Sequence, residues 1–139
     1  DAKGVASVWR TKHLFAGCPD LMGEIGGVKV IADFKTSNAP YMHRFPDKGD
    51  RVGFGGFRKF QKCAQQMAAY RYALEERTGF KCDVALIIVS TPETSQGIFI
   101  DGDQMDLYES RFLKRAEQCH TMYPPDENET YAISPQELS

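Results

Sequence analysis

The sequence predicts one α/β domain with a mixed β-sheet flanked by helices, and three observations predict it. Apolar residues on either side of Gly26-Gly27 fall into two strand-like runs. From Phe57 to Thr78 they recur at helical spacing. Asp83 to Ser90 is an almost continuous apolar run, the pattern of a buried central strand. At 139 residues, with 42% hydrophobic and 26% charged residues, the chain can bury a single core without disulfide help.

The elements follow in order. Val5 to His13 reads as an extended or strand-like segment. Leu14 to Phe34 reads as two strands around Gly26-Gly27. Lys35 to Gly56 is a long connection punctuated by Pro40, Pro46, Gly49, Gly53, Gly55 and Gly56, and connections of that length are often functional. In the helix that follows, Phe57, Phe60, Ala64, Met67 and Leu74 lie three to four residues apart or at multiples of that spacing, and Gly79 suits the C′ position. Gly97 to Ile100 is a short further strand. Asp101 or Asp103 caps a last helix that runs to about Cys119, and Pro124-Pro125 ends it. The tail, 123–139, is acidic from Asp126 onward and is expected to be loosely packed.

Composition narrows the function. The first ten residues lack the apolar stretch of a signal peptide, and no apolar run approaches the ~20 residues of a membrane span. The expectation is an intracellular protein of cytoplasm, nucleoid or organelle matrix, with no membrane partner. Cys18, Cys63, Cys82 and Cys119 are widely spread, with no local pair of the zinc or cluster type, and read as free thiols. The net charge of −2 conceals an asymmetry: Tyr41 to Lys62 carries six bases against two acids, while Asp101 to the end carries nine acids against three bases. A local basic segment suits nucleic acid even in a weakly acidic chain.

A two-residue turn at Gly26-Gly27 sets a register. It pairs Ile25 with Val28 and Glu24 with Lys29, an opposite-charge pair that supports the alignment. Continued, it brings Asp20 opposite Asp33 and Cys18 opposite Lys35. Alternation then puts Leu21, Ile25, Val28, Val30, Ala32 and Phe34 on an apolar face, and Asp20, Asp33 and Lys35 on the other. Facing carboxylates repel, so selection for stability alone avoids them. A divalent cation between them removes the conflict. Mg²⁺ favours such oxygens and keeps waters, one of which can act as nucleophile. Lys35 is placed to orient that water or to neutralise charge on a phosphate.

These residues resemble the PD-(D/E)xK nuclease superfamily, in its RecB-like exonuclease branch. The matching segments are Gly17-Cys-Pro-Asp20, Val30-Ile-Ala-Asp33-Phe-Lys35-Thr36-Ser37 and Gln66-Met-Ala-Ala-Tyr70, within a region from Phe15 to Ser90. The resemblance implies a restriction-endonuclease-like core and Mg²⁺- or Mn²⁺-dependent hydrolysis of DNA. It implies Asp20 and Asp33 as metal ligands with the backbone carbonyl of Phe34, and Lys35 as the catalytic lysine. Gln66 and Tyr70 would project toward the metal or the scissile phosphate, and i, i+4 spacing places them on one helix face. On the residues alone, the preferred reading is Tyr70 as a half-buried core aromatic and Gln66 as a solvated residue. Relatives commonly carry a carboxylate before the G-x-x-D turn; Val8 to His13 has none, which bears on a second metal. They also have an upstream helix, so the chain is expected to be a partial or a minimal version of the domain.

Substrate contacts are expected between Tyr41 and Lys62. Tyr41, Arg44, Phe45, Lys48, Arg51, Phe54, Arg58, Lys59 and Lys62 interleave bases that track phosphates with rings that stack on unpaired bases. The expected partner is DNA, single-stranded or with free ends, and the expected activity is that of an exonuclease in replication, recombination or repair. Two alternatives are an endonuclease of the same superfamily (homing, restriction or junction-resolving) and a non-catalytic nucleic-acid-binding module of the same fold. The sequence does not fix the oligomeric state.

Overall fold

The computed structural model describes residues 2–3, 17–41 and 54–124. Its elements are β1 (Ala2–Lys3), β2 (Leu21–Ile25), β3 (Val28–Thr36), α1 (Phe54–Thr78), β4 (Val84–Ser90), β5 (Ser95–Ile100) and α2 (Gly102–Met122). The five strands form one sheet in the order β1-β2-β3-β4-β5. All neighbours are antiparallel except β3 and β4, which are parallel. Parallel neighbours need a long crossover, and α1 supplies it. The segments Val5–His13, 42–53 and the tail from residue 125 lie outside the described residues.

The β2–β3 hairpin has the expected register, from Ile25↔Val28 and Glu24↔Lys29 to Leu21↔Ala32. Gly26 and Gly27 have φ of 57° and 81°. Two successive positive φ values define the mirror-image turn that matches strand twist, and glycine adopts them without steric cost. Gly79, at φ 72°, ends α1, with its N–H donating to the Glu75 carbonyl at 2.9 Å. At the start of α2, the Asp101 side chain accepts from the Gln104 N–H at 2.8 Å. Helix α1 starts three residues before the expected Phe57, because Gly55 and Gly56 join its first turn; α2 runs past Cys119 to Met122.

One sheet face carries Met22, Ile31, Ala85, Ile87, Val89, Ile98 and Ile100, and the helices bury it. From α1 come Phe60, Ala64, Met67 and Leu74, all 0% exposed, and from α2 come Met105 and Tyr108. Burying a side chain of this size contributes about 1.5–3 kcal/mol, so this layer holds the fold. Asp33 and Lys35 lie on that same face, by alternation with Ile31. The opposite face does gather Leu21, Ile25, Val28, Val30, Ala32 and Phe34, but neither helix packs on it. Ile25 is 68% and Phe34 54% exposed. The catalytic candidates therefore sit at the edge of the helix-covered core.

Arg71 ties the helices together. Its guanidinium lies 2.7 Å from Asp106 and 3.3 Å from Glu109 of α2, and reaches the Gly102 carbonyl at 3.5 Å. Among the described residues, no helix is long and apolar enough to cross a membrane.

Candidate active site

Asp20, Asp33, Lys35 and Gln66 come together where β3 meets α1. Ladder pairing stops at Leu21↔Ala32, so Asp20 is delivered by the turn before β2 rather than by the ladder itself. Its Oδ2 accepts the Phe34 N–H at 2.8 Å. In a strand, the N–H and C=O of one residue point toward the same neighbour, so the Phe34 carbonyl also faces the Asp20 side. The Phe34 hydrogen bond, then contact with Asp33, and further the charge of Lys35 hold the Asp20 carboxyl below the usual carboxylate range, against a small effect of burial.

Asp33 is only 4% exposed. Burial, with the neighbouring Asp20 carboxyl, pushes its pKa up, although Lys35 pulls the other way. Lys35 Nζ pairs with Asp33 Oδ2 at 2.6 Å, so the buried carboxylate is held by an ion pair. A buried ion pair with a second carboxylate beside it is a poor source of stability for a fold with no use for it. Lys35 Nζ donates to Gln66 Oε1 at 3.1 Å, so the helix residue fixes the ammonium. Burial alone would lower the Lys35 pKa, but the hydrogen bond and charge of Asp33 outweigh it, and the net shift is upward. Lys35 is an ammonium at neutral pH.

Two neighbouring carboxylates, one of them buried, and a carbonyl turned to the same side fit a small hard cation. Mg²⁺ commonly binds through one or two carboxylates and completes its shell with water and substrate phosphate. Among the described residues, no group of three or more His, Cys, Asp or Glu side chains gathers at one point.

Tyr70 is 8% exposed and belongs to the core cluster. Burial and the charge of Asp33 raise its phenol pKa, while the backbone of Cys18 hydrogen-bonds to it. A Cβ on Gly17 would overlap Cε1 of the Tyr70 ring. Tyr70 thus braces the Gly17–Asp20 turn. Cys18, expected across from Lys35, is an exposed thiol beyond the end of the ladder, and its backbone meets Tyr70. All four cysteines carry free thiols.

The expected substrate residues divide. Tyr41 does not stack at the surface: it is 7% exposed in the core cluster, and its phenol pKa is raised by burial and by contact with the Cys63 thiol. Its burial follows from Gly56, where a Cβ would collide with the Tyr41 carbonyl; the start of α1 packs directly on that residue. Lys59 lies over the Tyr41 ring at 6.0 Å. Arg58 and Lys62 are exposed on α1. Arg44, Phe45, Lys48, Arg51 and the Phe54 side chain lie outside the described residues.

Two clefts flank this stretch of α1. One, of about 810 Å³, lies at the ends of β3 and β4 against Gly55, Gly56 and Lys59. The other, of about 500 Å³, runs between α1 and α2 from Gln66 and Tyr70 to Phe112, Arg115 and His120. Sequence reasoning missed the α2 wall. The available signal was Arg111 and Arg115, one turn apart in an otherwise acid-rich region.

No family model matches the chain, and no curated protein matches it. Among solved structures, the crystal structure of SSO0001 aligns with 100% of this chain at 13% identity and a TM-score of 0.46. The chain spans 60% of the length of that protein.

Proposed function

We propose that this chain is a Mg²⁺- or Mn²⁺-dependent deoxyribonuclease of the PD-(D/E)xK type. The observation that carries the reading is the Asp20–Asp33 carboxylate pair, with Asp33 buried and Lys35 beside it. Asp20, Asp33 and the Phe34 carbonyl would hold the metal. When bound, the ion supplies an activated water and neutralises phosphate charge. Asp20 is fixed through one oxygen by the Phe34 N–H. Gln66 holds the Lys35 ammonium, which offsets charge that builds on the phosphate oxygens as the attacking bond forms. DNA as substrate, and action from an end, rest on the resemblance of the Gly17–Asp20, Asp33–Ser37 and Gln66–Tyr70 segments to RecB-like exonucleases.

The test is cleavage of end-labelled linear and circular single-stranded DNA with Mg²⁺ or Mn²⁺, beside Lys35→Ala and Asp33→Asn. The reading expects metal-dependent loss of the linear substrate in the wild type alone. Cleavage of the circle would make the enzyme an endonuclease. Absence of metal-dependent cleavage from the wild type would overturn the reading.

A further inference from the structure

The groove between α1 and α2 has a composition that the metal site does not explain. Lys62, Gln65 and Gln66 of α1 face Phe112, Arg115 and His120 of α2 across about 500 Å³. Its floor includes Ala69 and Ala116, small residues that leave room between the helices. Among the described residues, no acidic side chain lines it.

The charges of α2 are sorted along its length. Asp103, Asp106 and Glu109 occupy the first half, where Asp106 and Glu109 bind Arg71. Arg111 stands beside the midpoint, Lys114, Arg115 and His120 occupy the second half, and Glu117 there is exposed and not part of the groove. Compensation of the helix dipole accounts for a basic residue in the last turn. It does not account for Arg115, about two turns before Met122, nor for Lys62 in the middle of the other helix. Arg115 reaches across the groove to Gln65 Oε1 at 3.4 Å, so the two walls are already in register.

The groove is also continuous with the candidate site. Gln66 and Tyr70 form its inner end, and Gln66 is the residue that holds Lys35. A chain of phosphates leaving Lys35 along this side would meet Lys62 and Arg115. A half-buried ring, Phe112, would be offered to a base. A duplex keeps its base faces stacked inside, whereas a single strand presents them to aromatic side chains between phosphate contacts.

We propose that this groove binds the single DNA strand adjoining the scissile phosphate, with Lys62 and Arg115 on phosphates and Phe112 against a base. The inference deepens the nuclease reading by assigning the substrate a path and a strandedness. Its test does not depend on turnover. Binding of a fluorescent single-stranded oligonucleotide, and of the matching duplex, is measured in EDTA and in Ca²⁺ over a range of salt. The proteins are wild type, Lys62→Gln/Arg115→Gln, Phe112→Leu, and Lys114→Gln as an exposed residue of α2 outside the groove, each checked by thermal melting.

The double variant should bind the single strand at least about tenfold more weakly, and its salt dependence should fall by about 1.4 in log–log slope, as expected for two lost phosphate contacts. Phe112→Leu keeps the apolar bulk and loses the stacking face, so it should weaken the single strand several-fold without changing the salt slope. Lys114→Gln should match the wild type. Single-strand affinity unchanged in the double variant overturns the groove, even if the wild type cleaves DNA. A wild type that prefers the duplex overturns it as well. Loss of strand binding in the variants of a protein that cleaves nothing would leave the groove standing and remove the nuclease.

Discussion

Replacing Gly17 by alanine tests whether Tyr70 braces the turn that delivers Asp20. A Cβ at this position would overlap Tyr70 Cε1 and approach Cδ1 to 3.0 Å. The ring has little room to yield, because Tyr70 is 8% exposed within the core cluster. Either the ring or the turn must move. Overpacking of this kind costs about 1–3 kcal/mol. For a chain of this length that is a fall in melting temperature of roughly 4–12 °C. Tyr70→Ala alone leaves a cavity and should cost about 3–5 kcal/mol. In the double variant the collision is gone, so its cost should fall short of the sum by about 1–3 kcal/mol. Denaturant unfolding of the four proteins measures the cycle. Calorimetric Mn²⁺ binding then reports on the turn: Gly17→Ala should weaken the ion, and smaller residues at position 70 should restore part of that loss. Additivity within about 0.5 kcal/mol, or a Gly17→Ala protein as stable as wild type, would refute the argument.

Other perturbations probe separate parts of the fold. Arg71→Ala leaves Asp106 and Glu109 facing each other without their shared cation. Because Asp106 is 70% exposed, the loss is discounted to about 1–2 kcal/mol, read by denaturant unfolding. Glu109→Gln tests the pKa of Glu109, which burial raises despite Arg71. A raised carboxyl pKa favours the folded state below the unfolded value of 4.5, and this contribution is lost as pH rises through the folded value. Glu109→Gln should therefore gain stability relative to wild type as pH rises from 4.5, then level off; a difference independent of pH would contradict it. Gly27→Ala meets no atom within 4 Å, so its cost, about 1 kcal/mol, should come from backbone strain alone, and Gly26→Asn should cost less than Gly26→Ala in the same melting assay.

The hairpin and its register were legible because glycine spacing and a charge pair are local signals. A two-residue turn leaves one alignment, and Glu24 opposite Lys29 agrees with it. The helices and β4 were legible from periodicity and from a continuous apolar run. Three features were not. Tyr41 lies between bases and prolines in the sequence, and only contact with Gly56 and Cys63 shows why it is buried. The helices cover the face that carries Asp33, which alternation cannot decide when both faces hold apolar residues. The α2 wall of the groove was hidden because Arg115 is brought near Gln65 by packing, across a gap of 50 residues.

That choice of face bears on the chemistry. Had the helices packed on the side of Val28, Val30 and Phe34, Asp33 and Lys35 would lie on an open sheet, screened by water and able to reorient. Packed as they are, α1 brings Gln66 to Lys35 and closes the core around Asp33. On the proposed reading, the same contact that raises the cost of the Asp33 carboxylate would make it a stronger ligand, because burial weakens competition from water for both the charge and the oxygen. Asp33→Asn should then part stability from function. It removes a buried charge opposed by Asp20, but it also takes the partner from Lys35, so the unfolding midpoint should change little. Mn²⁺ binding should fall by at least an order of magnitude, since one of the two proposed carboxylate ligands is lost. Calorimetric titration beside a melting curve reads both. A variant that unfolds readily yet still binds Mn²⁺ would make Asp33 a structural residue and leave the site without its central ligand.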